Sequence, residues 1–145
     1  MTAKTKLAVG LPKSIGVLIC DDVAEMRELL VLIIEMRDGL HVAGEAADGL
    51  EAITLAEQLQ PSVILLDLSM PRMTGLDALP EIRRVAPDSL VIVLSGFAAA
   101  VFADDLLAHG ADRYLEKGAP PSLITKTIEE LVSSKAHAVA SPGQG

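Results

Sequence analysis

The order of apolar and polar positions along the chain predicts a layered fold before any single residue is weighed. Short aliphatic runs alternate with stretches in which apolar residues recur every three or four positions. The first kind reads as buried strands and the second as amphipathic helices. Ser14–Cys20 (SIGVLIC) is a first strand, followed by a helix over Ala24–Arg37 with Met26, Leu30, Ile33 and Ile34 on one face. Leu40–Gly44 is a weaker second strand. Asp48-Gly49 signals a turn, and Ala52, Ile53, Ala56 and Leu59 mark a second helix stopped by Pro61. Val63–Asp67 is a third strand. A loop with Pro71 and Gly75 leads into a helix over Leu76–Val85, where Pro80 predicts a late start or a bend.

Leu90–Leu94 is a fourth strand, ending at Ser95-Gly96. An alanine-rich helix over Ala98–His109 is closed by Gly110. Arg113–Glu116 is a fifth strand ending at Lys117. Pro121 opens a last helix with Ile124, Ile128, Leu131 and Val132 on one face. Strands and helices in strict alternation imply right-handed β-α-β crossovers and a parallel sheet covered on both faces. Residues 1–13 read as a flexible arm, 14–134 as one domain, and 135–145 as a flexible tail or linker stub.

Composition narrows the function classes. The 145 residues suffice for one domain with a full core; half are hydrophobic and 2% aromatic, so that core is aliphatic. A formal net charge of −8 argues against nucleic acid as a direct partner, because phosphate backbones require a basic patch. A single cysteine, Cys20, forms no internal disulfide and gives no sign of an oxidising compartment; it reads as a buried small hydrophobe. The apolar runs, such as Leu29–Ile34, are far too short to span a membrane. The N-terminal stretch carries Lys4, Lys6 and Lys13 but is broken by Gly10 and Pro12, unlike a signal peptide. A cytoplasmic location is the default. His41, His109 and His137 are scattered without ligand spacing and read as surface residues.

The chemistry collects at the strand ends. The first strand ends at Asp21-Asp22, the third at Asp67, the fourth at Ser95 and the fifth at Lys117. In a parallel sheet all carboxyl ends share one edge, so these residues meet in one cleft. Carboxylates brought together repel unless a cation joins them. Oxygen donors with no Cys or His in the set select Mg²⁺. A carboxylate also serves as a nucleophile toward phosphorus, forming an aspartyl phosphate. Lys117 would neutralise a phosphoryl oxygen and the Ser95 hydroxyl would donate to another. The residues alone therefore point to a Mg²⁺-dependent phosphoryl acceptor site.

The same motifs, in this order and spacing, resemble the receiver domain of bacterial two-component response regulators (CheY-like) over roughly residues 14–134. The carriers are the pair Asp21-Asp22 with Arg27 after it, LLDLSMPRMTG at 65–75, LSG at 94–96 and GADRYLEKG at 110–118. The resemblance implies a flavodoxin-like (βα)5 doubly wound sheet of strand order 2-1-3-4-5. It implies that Asp67 accepts a phosphoryl group from a phosphohistidine donor, a sensor histidine kinase or histidine phosphotransfer protein. It implies Mg²⁺ held by Asp22, Asp67 and the Ser69 backbone carbonyl, with Asp21 acting through a coordinated water. Ser95 and Lys117 would contact the phosphoryl group, and Ser95 with Tyr114 would form the switch that reshapes a surface of the fourth helix, fifth strand and fifth helix. A downstream protein or output domain would read that surface, and a phosphorylation-dependent homodimer through it is open. Such a module is a phosphoacceptor rather than an enzyme with turnover.

Two places depart from the family pattern. Gly118 follows Lys117 where Lys-Pro is common, with Pro120 and Pro121 displaced. Ser69 and Phe97 occupy the two positions that tune loss of the phosphoryl group to water, and the bulk of Phe97 suits shielding. Three other readings remain. One is the N-terminal receiver of a longer DNA-binding regulator. Another is a non-phosphorylated receiver-like scaffold, which the intact acid pair, Asp67, Ser95 and Lys117 disfavour. The third, a flavodoxin-like ligand binder, lacks a Gly-rich phosphate loop after the first strand. A phosphatase would want an acid where Ser69 stands. Arg27 is expected to pair with Glu25 or Glu28 on the surface. Asp21 or Asp22 alone could be simple helix caps.

Overall fold

A computed structural model of the chain describes residues 14–96 and 103–140, with the side chains of 103 and 138–140 excepted. The described elements alternate strictly: β1 (Ile15–Cys20), α1 (Ala24–Glu35), β2 (Leu40–Ala46), α2 (Gly49–Leu59), β3 (Val63–Asp67), α3 (Gly75–Val85), β4 (Leu90–Ser95), α4 (Ala103–Ala108), β5 (Arg113–Glu116) and α5 (Pro121–Ala140). The five strands form one parallel sheet in the order β2-β1-β3-β4-β5. This is the flavodoxin-like arrangement implied by the alternation and the resemblance.

The sheet is buried on both faces, which explains why its inner strands read as unbroken aliphatic runs rather than alternating ones. Leu18, Cys20, Ile64, Leu66, Val91 and Val93 point to one layer, where Ala52, Ala56, Leu79, Ile82 and Leu106 of α2, α3 and α4 cover them. Val17, Ile19, Val63, Leu65, Ile92 and Leu94 point to the other, under Leu30 and Ile34 of α1 and Ile124 and Ile128 of α5. The edge strand β5 is only partly buried.

Several elements differ in extent from their sequence expectation. β2 runs to Ala46, and its hydrogen bond from Asp21 N–H to Ala46 O carries pairing past the end of β1. α2 starts at Gly49 rather than further on, because Asp48 caps it by accepting from Glu51 N–H. α3 does not start late: Pro80 is its sixth residue, and the Thr74 cap together with the buried Ala78, Leu79 and Ile82 holds the helix around it. α5 runs through residues 135–140, where a tail was expected; alanine-rich KAHAVA has the helix propensity to extend it. Residues 97–102, including Phe97 and the first part of the helix expected over Ala98–His109, lie outside the described residues, and so do 1–13 and 141–145. No helix among the described residues is long and apolar enough to cross a membrane.

Gly75 ties the third strand to α3. A Cβ there would sit 2.2 Å from Asp67 O and 2.9 Å from Leu68 Cα. The Gly75 N–H also donates to Leu68 O at 2.9 Å. Only glycine allows the helix start to approach the strand end so closely. Gly75→Ala should therefore lower stability by about 2 kcal/mol through forced backbone movement, read as a lower midpoint in urea unfolding.

Candidate functional site: a lysine between two buried carboxylates

The register of β1 against β3 sets the site. Cys20 lies opposite Leu66, so the next residues, Asp21 and Asp67, leave the two strands side by side. Side-chain alternation continues through them: Val17 and Ile19, like Val63 and Leu65, face the α1/α5 layer, and Asp21 and Asp67 share their parity. Both are buried, with 0% and 2% of their surface exposed. Two buried like charges at neighbouring strand ends repel and require a counter-charge.

Lys117, just past β5, supplies it. Its Nζ lies 3.1 Å from Asp21 Oδ2 and 3.1 Å from Asp67 Oδ2. The Lys117 N–H donates to Ser95 O at 2.7 Å and the Ala119 N–H to Glu116 O at 3.0 Å, so the loop turns tightly with Gly118 in the place of the family's proline. Each carboxylate is oriented by a backbone amide two residues on: Val23 N–H donates to Asp21 Oδ1 at 2.9 Å, and Ser69 N–H to Asp67 Oδ1 at 3.1 Å. That leaves the two Oδ2 atoms buried without a well-angled hydrogen bond, next to the lysine.

The electrostatics follow. Burial raises the Asp67 carboxyl above its ordinary value and the Asp21 charge adds to this, while the Ser69 amide and Lys117 work against it. For Lys117, burial favours the neutral amine, but the carboxylates of Asp67 and Asp21 prevail and hold it above the usual lysine range. The contact thus keeps Lys117 charged without recovering the desolvation of Asp67. That asymmetry fits the geometry, since the Lys117 side chain keeps a quarter of its surface exposed and Asp67 almost none.

Asp22 is exposed beside this pair. One carboxylate oxygen from each of Asp21, Asp22 and Asp67 lies within 4.8 Å of the others. Carboxylate ligands alone, two of them buried and each keeping one Oδ2 without a hydrogen bond, fit a hard divalent cation. Ser95 ends β4 nearly buried, one residue beyond the partner of Asp67 in the register. Tyr114 pairs with Val93 and is half-buried against the α2–α4 layer, the face that Ser95 shares with Val93 by alternation. Ser69 is exposed on the loop after β3. All the sequence-predicted site residues therefore stand at the carboxyl end of the sheet or on the strand leading to it.

Three details differ from expectation or were missed. Arg27 does not pair with Glu25 or Glu28. Its guanidinium donates to Asp21 O at 2.7 Å and lies 3.5 Å from Glu45, because one turn into α1 it faces back toward the strand end. Asp21 is not the cap of α1: that position is Val23, without a side-chain cap. Arg72 pairs with Asp48, a contact that connects the loop after β3 to α2. Cys20 is buried as expected, and burial, then the charges of Glu51, Asp21 and Asp67, push its thiol far up. His41, His109 and His137 are exposed.

Comparison with known proteins agrees with this arrangement. A family model for the response regulator receiver domain matches residues 17–129. The chain is 35% identical to the chemotaxis protein CheY of Thermotoga maritima over 115 residues, 79% of this chain and 95% of that one. It is 40% identical over 114 residues to the nitrate/nitrite response regulator protein NarP of Escherichia coli, covering 77% of this chain and 52% of NarP. The receiver domain of AraT, a response regulator from Geobacillus stearothermophilus, superposes with a TM-score of 0.76 at 31% identity, covering 84% of this chain and 95% of that domain. The chain belongs to the response regulator receiver domain family. It is a receiver of two-component signalling, a phosphoacceptor class rather than a conventional enzyme. It spans nearly all of CheY and about half of NarP.

The asymmetry of the ion pairs has opposite consequences for its two members. Because the folded Asp67 holds its proton more tightly than the unfolded chain does, its ionisation opposes folding. Through this group stability rises as pH falls from neutrality into the carboxylate range. Asp67→Asn should raise the urea midpoint of the metal-free protein at pH 7. Lys117→Ala should lower stability by about 3 kcal/mol, the low end for breaking a buried pair, since it strands two carboxylates.

Proposed function

We propose that Asp67 is the phosphoacceptor of this receiver and that Asp22, Asp67 and the Ser69 carbonyl hold Mg²⁺ during transfer, with Asp21 acting through a bound water. The observation that carries this reading is a buried carboxylate whose inward oxygen has a lysine 3.1 Å away and no satisfied hydrogen bond. Such an oxygen is poorly solvated and therefore available as a nucleophile. It attacks the phosphorus of a phosphohistidine donor: the carboxylate O–P bond forms, the donor N–P bond breaks, and the imidazole leaves with that electron pair. Bound Mg²⁺ would supply positive charge to the carboxylates and the phosphoryl oxygens.

The remaining roles belong to the chain itself. Lys117 would move from sharing two carboxylates to pairing with a phosphoryl oxygen, and the Ser95 hydroxyl would donate to another. Movement of Ser95 would free space on the face it shares with Tyr114, and inward rotation of that half-buried ring would reshape the surface of α4, β5 and α5. A sensor histidine kinase or histidine phosphotransfer protein is the donor, and a downstream protein or output domain, or a second copy of the receiver, reads the surface. The setting is cytoplasmic. Likeness to about half of a transcriptional regulatory protein, YhcZ of Bacillus subtilis, favours a second reading, the receiver part of a longer DNA-binding regulator; the length of the gene decides it.

The test is intact-mass measurement after incubation with Mg²⁺ and a small acyl-phosphate donor. The wild type should gain the mass of one phosphoryl group, and Asp67→Asn or omission of Mg²⁺ should abolish the gain. An unmodified wild type, or a gain that survives Asp67→Asn, would refute the assignment.

A further inference from the structure

The loop between β3 and α3 carries a strained residue with a specific partner. Arg72 has φ +64°, in the left-handed region that a side chain rarely occupies. It is the middle of a three-residue turn, closed by Met73 N–H donating to Pro71 O at 2.6 Å. Positive-φ turns of this size are strained, and such strain persists only where the surroundings impose it. Here the surroundings are the start of α2. The Arg72 guanidinium pairs with Asp48, whose side chain is 8% exposed and also caps α2 through Glu51 N–H at 2.8 Å. The Glu51 carboxylate in turn accepts from Ala47 N–H at 2.8 Å, fixing the segment before the cap. Gly49, next to Asp48, lets the loop settle onto the helix: a Cβ there would be 2.3 Å from Met73 O. Met70 is buried in the core at the other end of the loop.

Ser69 lies between these anchors and the phosphoacceptor. Its N–H orients Asp67 Oδ1. Its carbonyl is the third ligand in the reading given above, on which this inference rests. The loop has no regular secondary structure to hold that peptide; it is fixed from Met70, from Arg72 and from the Gly75 N–H to Leu68 O hydrogen bond. We infer that Arg72 is a positioning residue for phosphoryl acceptance: its ion pair with Asp48 holds the strained turn and thereby sets the Ser69 peptide that orients Asp67 and completes the cation site. Arg72 itself touches neither phosphoryl group nor metal.

Four variants separate the ion pair from its confounders. Arg72→Ala removes the guanidinium. Arg72→Gly removes it while relieving the turn, so an effect due to strain alone would vanish in this variant. Asp48→Asn removes the charge while keeping the α2 cap, since asparagine caps as well as aspartate. Arg72→Lys keeps a charge. Two readouts apply, both by nuclear magnetic resonance: hydrogen exchange of the Ser69 and Met73 amides in metal-free protein, and the Mg²⁺ concentration at half-saturation. Arg72→Ala, Arg72→Gly and Asp48→Asn should all speed exchange at both amides and raise the Mg²⁺ midpoint by roughly tenfold, the low end for groups that support metal ligands. Arg72→Lys should recover part of both effects. Urea midpoints within the error of wild type should show that the fold is intact. Exchange rates unchanged in Arg72→Ala and Asp48→Asn, or an Arg72→Gly variant that matches wild type, would overturn the inference. Failure of the wild type to bind Mg²⁺ would refute the site assignment instead, and the metal-free exchange would still decide the role of Arg72.

Discussion

Lys117 sits between two carboxylates that the sheet forces together, and the site depends on that placement. Asp21 and Asp67 are not brought together by a flexible loop. They leave adjacent parallel strands at the same level and on the same face, because Cys20 is in register with Leu66. Their burial is a consequence of the two-sided sheet, and burial makes their charge costly. A single ammonium 3.1 Å from each relieves this cost without removing it. The result is an oriented, under-solvated carboxylate beside the exposed Asp22. A rigid scaffold produces this state before any ligand arrives, which is the condition for efficient charge stabilisation.

The supporting structure serves to keep that end of the sheet fixed. Gly75 brings α3 against the Asp67 carbonyl, Arg27 holds the Asp21 carbonyl, and the Ser95 carbonyl holds the Lys117 peptide. Each of these acts on backbone rather than on side-chain tips, so the strand ends cannot drift independently. Ser95 and Tyr114, proposed above as the switch, lie by alternation on the face opposite to that of Asp67, toward α4.

Much of this was legible in the residues. The aliphatic runs with polar ends predicted the parallel sheet, and the sheet predicted that Asp21, Asp22, Asp67, Ser95 and Lys117 would gather. What could not be read was anything set by close approach or by the shape of a loop. The early start of α2 depends on Asp48 as a cap, and Asp48-Gly49 looks equally like a turn. The partner of Arg27 depends on where the first turn of α1 points. The pairing of Arg72 with Asp48 joins residues from two loops, and no periodicity reports it. The extension of α5 to Ala140 reflects helix propensity in a segment whose small residues also suit a tail.

The most direct test of the account is the titration of Asp67 itself, followed through its carboxyl carbon by nuclear magnetic resonance in metal-free protein. The account predicts a midpoint above the ordinary value of about 3.9 for aspartate, moving down when Mg²⁺ is added. A midpoint at or below the ordinary value, unaffected by Mg²⁺, would contradict the picture of an under-solvated carboxylate prepared for cation and phosphoryl group.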